Sequence, residues 1–262
     1  MENLVVSDVR IFSYLPNPRV WKALIAADLC GVTVEVVGDR PRNLGNWLWD
    51  FDAREMLDNE RTEDSPHART GRRGFSGTLY KTDDFMKAHP YGTVPAAFSP
   101  DGEIGVFESN SILRATVRAS KEDHGLYGRT PFEASRVDSF LDAGLVFGRE
   151  AQVYLLGVSD ITKETYERMA AAYEFYVSGI DQALTTEDFV ATSELTIADI
   201  AFVCDTGQFL RERRSEEVLA KQGLSPISLG FEDDFPRAYA HLKSLSARPE
   251  FAHHLGRSLE GV

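Results

Sequence analysis

Tyr91-Gly92-Thr93-Val94-Pro95-Ala96-Ala97-Phe98 is an apolar run opened by a Val-Pro pair, and after Asp101-Gly102 the chain continues Val106-Phe107-Glu108-Ser109-Asn110-Ser111-Ile112. Proline at the first residue of a strand gives up a ladder donor cheaply, and a cis bond there exposes the preceding backbone to a ligand. Asp-Gly supplies the turn between strands over 94–98 and 104–107. Ser109 or Asn110 then caps a helix through Ile112 and Leu113, which leaves free amides and a positive dipole end beside the acidic Glu108. Such a corner fits a zwitterion: Glu108 takes an ammonium group, while Ser109 and the helix N-terminus take a carboxylate.

Outward from this corner the elements fall into two blocks. Residues 5–14 alternate as a strand, with Val9 and Ile11 on one side and Arg10 and Phe12 on the other. Asn17 is an N-cap and Pro18 a first helical residue, followed by an apolar stripe of Val20, Leu24 and Ala27 that stops at Gly31. Val32–Val37 is β-branched and reads as a second strand. With the 94–98 and 104–107 strands and the helix after them, the order is βαβ…ββα, that of a thioredoxin-like domain. From Pro131 onward, 132–156, 162–184, 196–213 and 235–246 carry helical apolar periodicity, and Thr196 with Asp199 three residues on forms a capping box behind Leu195 as staple. The polar stretch Lys121-Glu122-Asp123-His124-Gly125 places the boundary near residues 119–130. The expected fold is therefore α/β plus all-α: a thioredoxin-like domain over 1–120, interrupted by an insertion near 41–83, and a helical-bundle domain over 130–262.

Within the insertion Trp47, Trp49 and Phe51 precede a polar stretch containing Arg61, His67, Arg69, Arg72 and Arg73. A loop of that length reads as a functional lid or an interaction surface, or else as a partly helical excursion with Trp47 and Phe51 on the core.

Tyr14-Leu15-Pro16-Asn17-Pro18-Arg19-Val20-Trp21-Lys22-Ala23-Leu24-Ile25-Ala26-Ala27, the Val94-Pro95 to Ile112 segment and Leu195-Thr196-Ile197-Ala198-Asp199-Ile200 resemble the glutathione transferase superfamily. Within it, the likeness is to the transferase-like domain of the gamma subunit of elongation factor one. The resemblance implies that glutathione is the cosubstrate. Val94, ahead of Pro95, would offer its backbone to the cysteinyl moiety; Glu108 and Ser109 would bind the γ-glutamyl end, and Lys87 or His89 would meet the glycine carboxylate. It also implies that Ser13, Tyr14 or Asn17, at the turn between the first strand and helix, stabilises the thiolate, since lowering a thiol pKa from about 8.5 takes a donor or positive potential at sulfur. Asn17 is equally explained as a helix cap. Arg19 and Lys22 add positive charge near the same helix start or are simply solvated.

Function follows as thiolate attack on a small apolar or aromatic electrophile. Related chains include β-aryl etherases, for which the 47–51 aromatics and Phe147 or Tyr154 would form an aromatic pocket. The alternatives are a non-catalytic scaffold like the elongation-factor gamma domain and a regulatory protein that binds glutathione without turnover. The family implies a homodimer, or a heterodimer with a related subunit.

Composition excludes several other classes. With 262 residues and 43% hydrophobic positions the chain is long enough for a full core. No apolar run reaches the ~20 residues of a membrane helix, and Met1-Glu2-Asn3 carries no signal-peptide pattern, so a cytoplasmic protein with no membrane partner is expected. A net charge of −13 opposes nonspecific nucleic-acid binding. Cys30 and Cys204 have no metal or disulfide spacing, and the Leu15-Pro16-Asn17-Pro18 turn lacks the cysteine that dithiol chemistry needs. The histidines form no metal motif, and neither a Gly-rich phosphate loop nor a Gly-x-Ser-x-Gly elbow occurs.

Overall fold

The computed structural model describes residues 7–71 and 75–256. Residues 5 and 6 of the expected first strand, Arg72 and Arg73 of the insertion, and 257–262 of the helical domain lie outside them. The chain divides into two compact units, Met1–Glu122 and Asp123–Val262.

In the first unit β1 (Val9–Tyr14) leads through α1 (Pro18–Cys30) to β2 (Val34–Asp39). Asn17 caps α1 by accepting from the amide of Arg19, and Gly31 ends it in the left-handed conformation at φ 67°. β1 and β2 pair in parallel from Val9 opposite Val34 to Tyr14 opposite Asp39. Gly38 faces Ser13 at φ +150°, where a Cβ would stand 1.7 Å from the Ser13 carbonyl oxygen, so only glycine lets the two strands close at this end.

Short of the helix that begins at Asp83, residues 41–83 are helical only in two short 3₁₀ segments, Pro41–Asn46 and Asp58–Glu60. They build a second four-stranded sheet from β3 (Trp47–Trp49), β4 (Arg54–Glu55), β5 (Ala68–Thr70) and β6 (Thr78–Lys81), in the order β4-β3-β6-β5. Its aromatics are core: Trp49 is fully buried and edge-on to Phe12 and Phe85, and its indole N–H donates to the Leu44 carbonyl. Trp47 and Phe51 pack partly buried against the same cluster, which includes Phe12 and Phe98 of the first sheet. A shared core for two sheets explains how so polar a segment stays attached.

α2 (Asp83–Ala88) follows, then β7 (Ala96–Phe98), β8 (Gly105–Phe107) and α3 (Ser109–Ala119). The first sheet runs β2-β1-β7-β8, with β1 antiparallel to β7 and β7 antiparallel to β8. α1 and α3 pack together.

The second unit is helical: α4 (Pro131–Leu156), α5 (Lys163–Ala183), α6 (Ile197–Phe209), α7 (Glu216–Ala220), α8 (Phe231–Asp234), α9 (Pro236–Ser246) and α10 (Pro249–Leu255). α6 packs on α4 and is buried nearly all round, in keeping with a largely apolar sequence that also encloses Asp199 and Asp205. The helix expected over 196–213 stops at Phe209 and tightens into a 3₁₀ segment, Leu210–Ser215. Phe147 and Tyr154 are enclosed in this unit: Phe147 stacks on Tyr176, and the Tyr154 hydroxyl donates to Glu212 at 2.7 Å. Both are core residues, not walls of an aromatic substrate pocket. Among the described residues no helix is long and apolar enough to cross a membrane, and no group of three or more His, Cys, Asp or Glu is placed to hold a metal.

Candidate functional site

Sheet register gathers the residues singled out in the sequence. Phe12 pairs with Ala96 and Ala96 with Phe107. Both ladders end at this edge, so the end of β1 at Ser13 and Tyr14, Val94–Pro95 just before β7, and Glu108 just after β8 fall at the same end of the first sheet. The Val94–Pro95 peptide is cis, as is Leu15–Pro16.

The start of α3 differs from the sequence expectation. Neither Ser109 nor Asn110 is the cap; both lie inside the helix, and the cap position belongs to Glu108, whose side chain makes no capping bond. Glu108 adopts φ 65°, a conformation costly for a residue with a Cβ. Its side chain is exposed, whereas Ser109 and Asn110 are buried.

What holds those two is Lys22, 2% exposed on α1, whose ammonium donates to Asn110 Oδ1 at 2.9 Å and to Ser109 Oγ at 3.5 Å. Lys22 is thus not one of the solvated charges of the first helix. Helical spacing carries the signal: Lys22 lies four residues from both Pro18 and Ala26, which are buried on the same face.

A second lysine steadies the other border. Lys81, at the end of β6, is 7% exposed, stands 4.6 Å from the centroid of the Trp49 ring and donates to the Gly92 carbonyl at 2.7 Å, two residues before Val94. Gly92 sits at φ +57° with the Lys81 ammonium 3.1 Å from where a Cβ would be. A cavity of about 440 Å³ opens here, lined by Arg69 and Lys81 of the inserted sheet and by Tyr91, Gly92 and Thr93.

The three thiol-activating candidates divide. Ser13 and Asn17 are both fully buried, and the Asn17 amide donates to Ser13 Oγ at 2.9 Å while its oxygen accepts from the Arg19 amide at 3.0 Å. They lock the strand-to-helix turn. Tyr14, the last residue of β1, is half-buried. Lys87 is exposed on α2, but His89 is 1% exposed, edge-on to Phe98 at 4.7 Å, and burial pushes its pKa down to about 4. A neutral, enclosed imidazole is a packing group, and it does not serve the carboxylate suggested for it.

Residues 137–249 match the glutathione S-transferase C-terminal domain. In structure the chain is similar to the glutathione transferase URE2P6 of Phanerochaete chrysosporium, solved with oxidized glutathione, at TM-score 0.63 and 18% identity over 96% of each chain. It is similar to a glutathione S-transferase of Methylobacillus flagellatus, solved with glutathione bound, at TM-score 0.62 and 14% identity over 94% of this chain and 98% of that one. The chain therefore has the glutathione transferase fold, and its residues 137–249 match that family's C-terminal domain.

In sequence the chain resembles elongation factor 1-gamma. It is 28% identical to the Homo sapiens protein over 94% of this chain and 46% of that protein, and 25% identical to elongation factor 1-gamma 2 of Oryza sativa subsp. japonica over 92% and 46%. The chain spans about half the length of the curated relatives it matches.

Proposed function

We propose that the first unit binds glutathione at the end of its first sheet and that the chain transfers the tripeptide's thiolate to a small apolar or aromatic electrophile. The observation that carries this reading is the pairing of Phe12 with Ala96 and of Ala96 with Phe107, which brings Val94–Pro95, just before β7, and Glu108, just after β8, to one end of the first sheet. Val94 pairs its backbone with the cysteinyl moiety, Glu108 receives the γ-glutamyl ammonium, and Ser109 with the first-turn amides of α3 receives the α-carboxylate. Tyr14 is the thiolate donor in this proposal, because Ser13 and Asn17 are enclosed and bonded to each other. In the reaction the thiol loses its proton, sulfur forms a bond to the electrophilic carbon, and the leaving group departs with the electron pair of the bond that breaks.

That same enclosure, with the likeness to elongation factor 1-gamma, favours a second reading in which the domain binds glutathione or a partner without turnover. Calorimetric titration with glutathione, followed by conjugation of an activated aryl halide, separates the two. Binding with turnover supports the transferase, binding alone supports the scaffold or regulator, and no binding removes the assignment of the corner. In a binding-competent protein Glu108→Ala weakens glutathione by more than about tenfold through the loss of a charge-assisted hydrogen bond; an unchanged dissociation constant overturns its role.

A further inference from the structure

Lys22 is an unusual residue to bury. A lysine ammonium is strongly hydrated, and enclosing one at 2% exposure is costly unless its donors are satisfied. Here two of the acceptors, Ser109 Oγ and Asn110 Oδ1, are the first two side chains of α3. Both bonds run from α1 to the start of α3, which follows β8 directly.

The direction of these bonds matters. An ammonium only donates, so Ser109 Oγ is the acceptor toward Lys22, and its own hydrogen is turned away from that ammonium. An oriented hydroxyl donor beside the first-turn amides of an 11-residue helix, with a lysine beneath, is a set of groups that all favour negative charge. The first turn of α3 itself carries no acidic residue, and the acidic cap residue before it, Glu108, is exposed.

We propose that Lys22 is the positioning residue that makes this corner selective for a carboxylate: it fixes the Ser109 hydroxyl as a donor and adds its charge behind it. The inference rests on the reading that glutathione binds here, and it assigns Lys22 to the α-carboxylate of the γ-glutamyl group, not to the thiol or the glycine end. Lys22 does not touch the ligand in this scheme. It acts through Ser109 and through its field, which low local polarity strengthens.

A ligand pair tests it: glutathione and the analogue 4-aminobutyryl-cysteinyl-glycine, which lacks only the α-carboxylate. Calorimetry on the full chain should show the parent preferring glutathione by at least about tenfold. In Lys22→Met, a replacement of similar length without charge, glutathione affinity should fall about 10- to 100-fold while affinity for the analogue stays within about twofold, so that the preference collapses. A merely structural lysine would weaken both ligands alike, and that result overturns the proposal. So does a Lys22→Met protein that keeps the parent's preference. If Lys22→Met does not fold, Lys22→Gln, which retains a donor but not the charge, carries the test with the same expected loss of preference. A parent that binds neither ligand rejects the glutathione reading itself, an outcome distinct from a parent that binds glutathione with a preference indifferent to Lys22.

Discussion

The helix starts of α3 and α6 are built in opposite ways. At α6 the Thr196 hydroxyl accepts from the Ala198 amide, while Asp199 Oδ2 accepts from the Thr196 amide and hydroxyl and Oδ1 accepts from the Val190 amide and faces His241 Nε2 at 2.8 Å. Asp199 is fully buried and saturated. At α3 the cap residue Glu108 makes no side-chain capping bond, and the buried group beneath is a lysine that collects oxygens. A buried carboxylate consumes N–H donors and closes a helix N-terminus into the structure. A buried ammonium consumes acceptors and leaves the amides of the first turn to something else.

The contrast extends through each unit. Among the described residues the buried Lys and Arg are Lys22 and Lys81, both in the first unit, and the buried acids are Asp199, Asp205 and Glu212, all in the second. Asp199 and Glu212 tie loops to helices, whereas Lys22 and Lys81 brace the two segments that border the proposed binding corner.

The largest effect is expected at Asp199. Asp199→Ala strands two buried backbone amides, a hydroxyl and an imidazole, and should cost about 3–5 kcal/mol in urea unfolding, the range seen when one partner is removed from a buried charged network. A loss under about 1 kcal/mol would break the distinction between a closed and an open helix start.

Glu212 comes next and has a pH signature. It is fully buried, accepting from the Tyr154 hydroxyl and the Ser228 amide, each at 2.7 Å, and burial raises its pKa above the ordinary carboxylate value. The folded state therefore holds the proton more tightly than the unfolded chain. This stabilisation is fully present below the unfolded pKa of 4.5 and is lost as pH rises through the raised value. Glu212→Gln, neutral at every pH, should be about 1–3 kcal/mol less stable than the parent in acid and should close on it as pH rises through that window. A stability difference that is flat or widens with pH would contradict this.

Lys81→Met should have the smallest effect on stability, about 1–2 kcal/mol, since methionine fills the space on Trp49 and one neutral acceptor, the Gly92 carbonyl, loses its donor. Denaturant midpoints measure it, and a cost matching that of Asp199→Ala would erase the contrast between bracing cations and closing anions.

Local chemistry made much of the fold legible. Asn17-Pro18 opening and Gly31 closing α1, the cis Val94–Pro95 pair before β7, and Thr196 with Asp199 each act within a few residues, so each carries its structure in its own spacing. The inserted sheet was hidden because its strands are two to four residues long, too short for a two-residue period to emerge, and because β3 pairs with β6 about thirty positions away. The cap at α3 was misread for a related reason: Ser109 has the cap's composition, but a left-handed Glu108 is a backbone state that sequence preference argues against.

The sequence by itself determined the thioredoxin-like order followed by helices, the Val94–Pro95 and Glu108–Ser109 pairs, and the absence of the spacing that dithiol or metal chemistry uses. Tertiary structure alone decided which of those side chains are enclosed and what they bond to. Ser13 and Asn17 became each other's partners, His89 became core, and Lys22, 87 residues from Ser109, became its neighbour. The physical reason is that caps, turns and periodicity are short-range forces written into adjacent residues, whereas burial and the pairing of a buried charge depend on which elements the whole chain folds against one another.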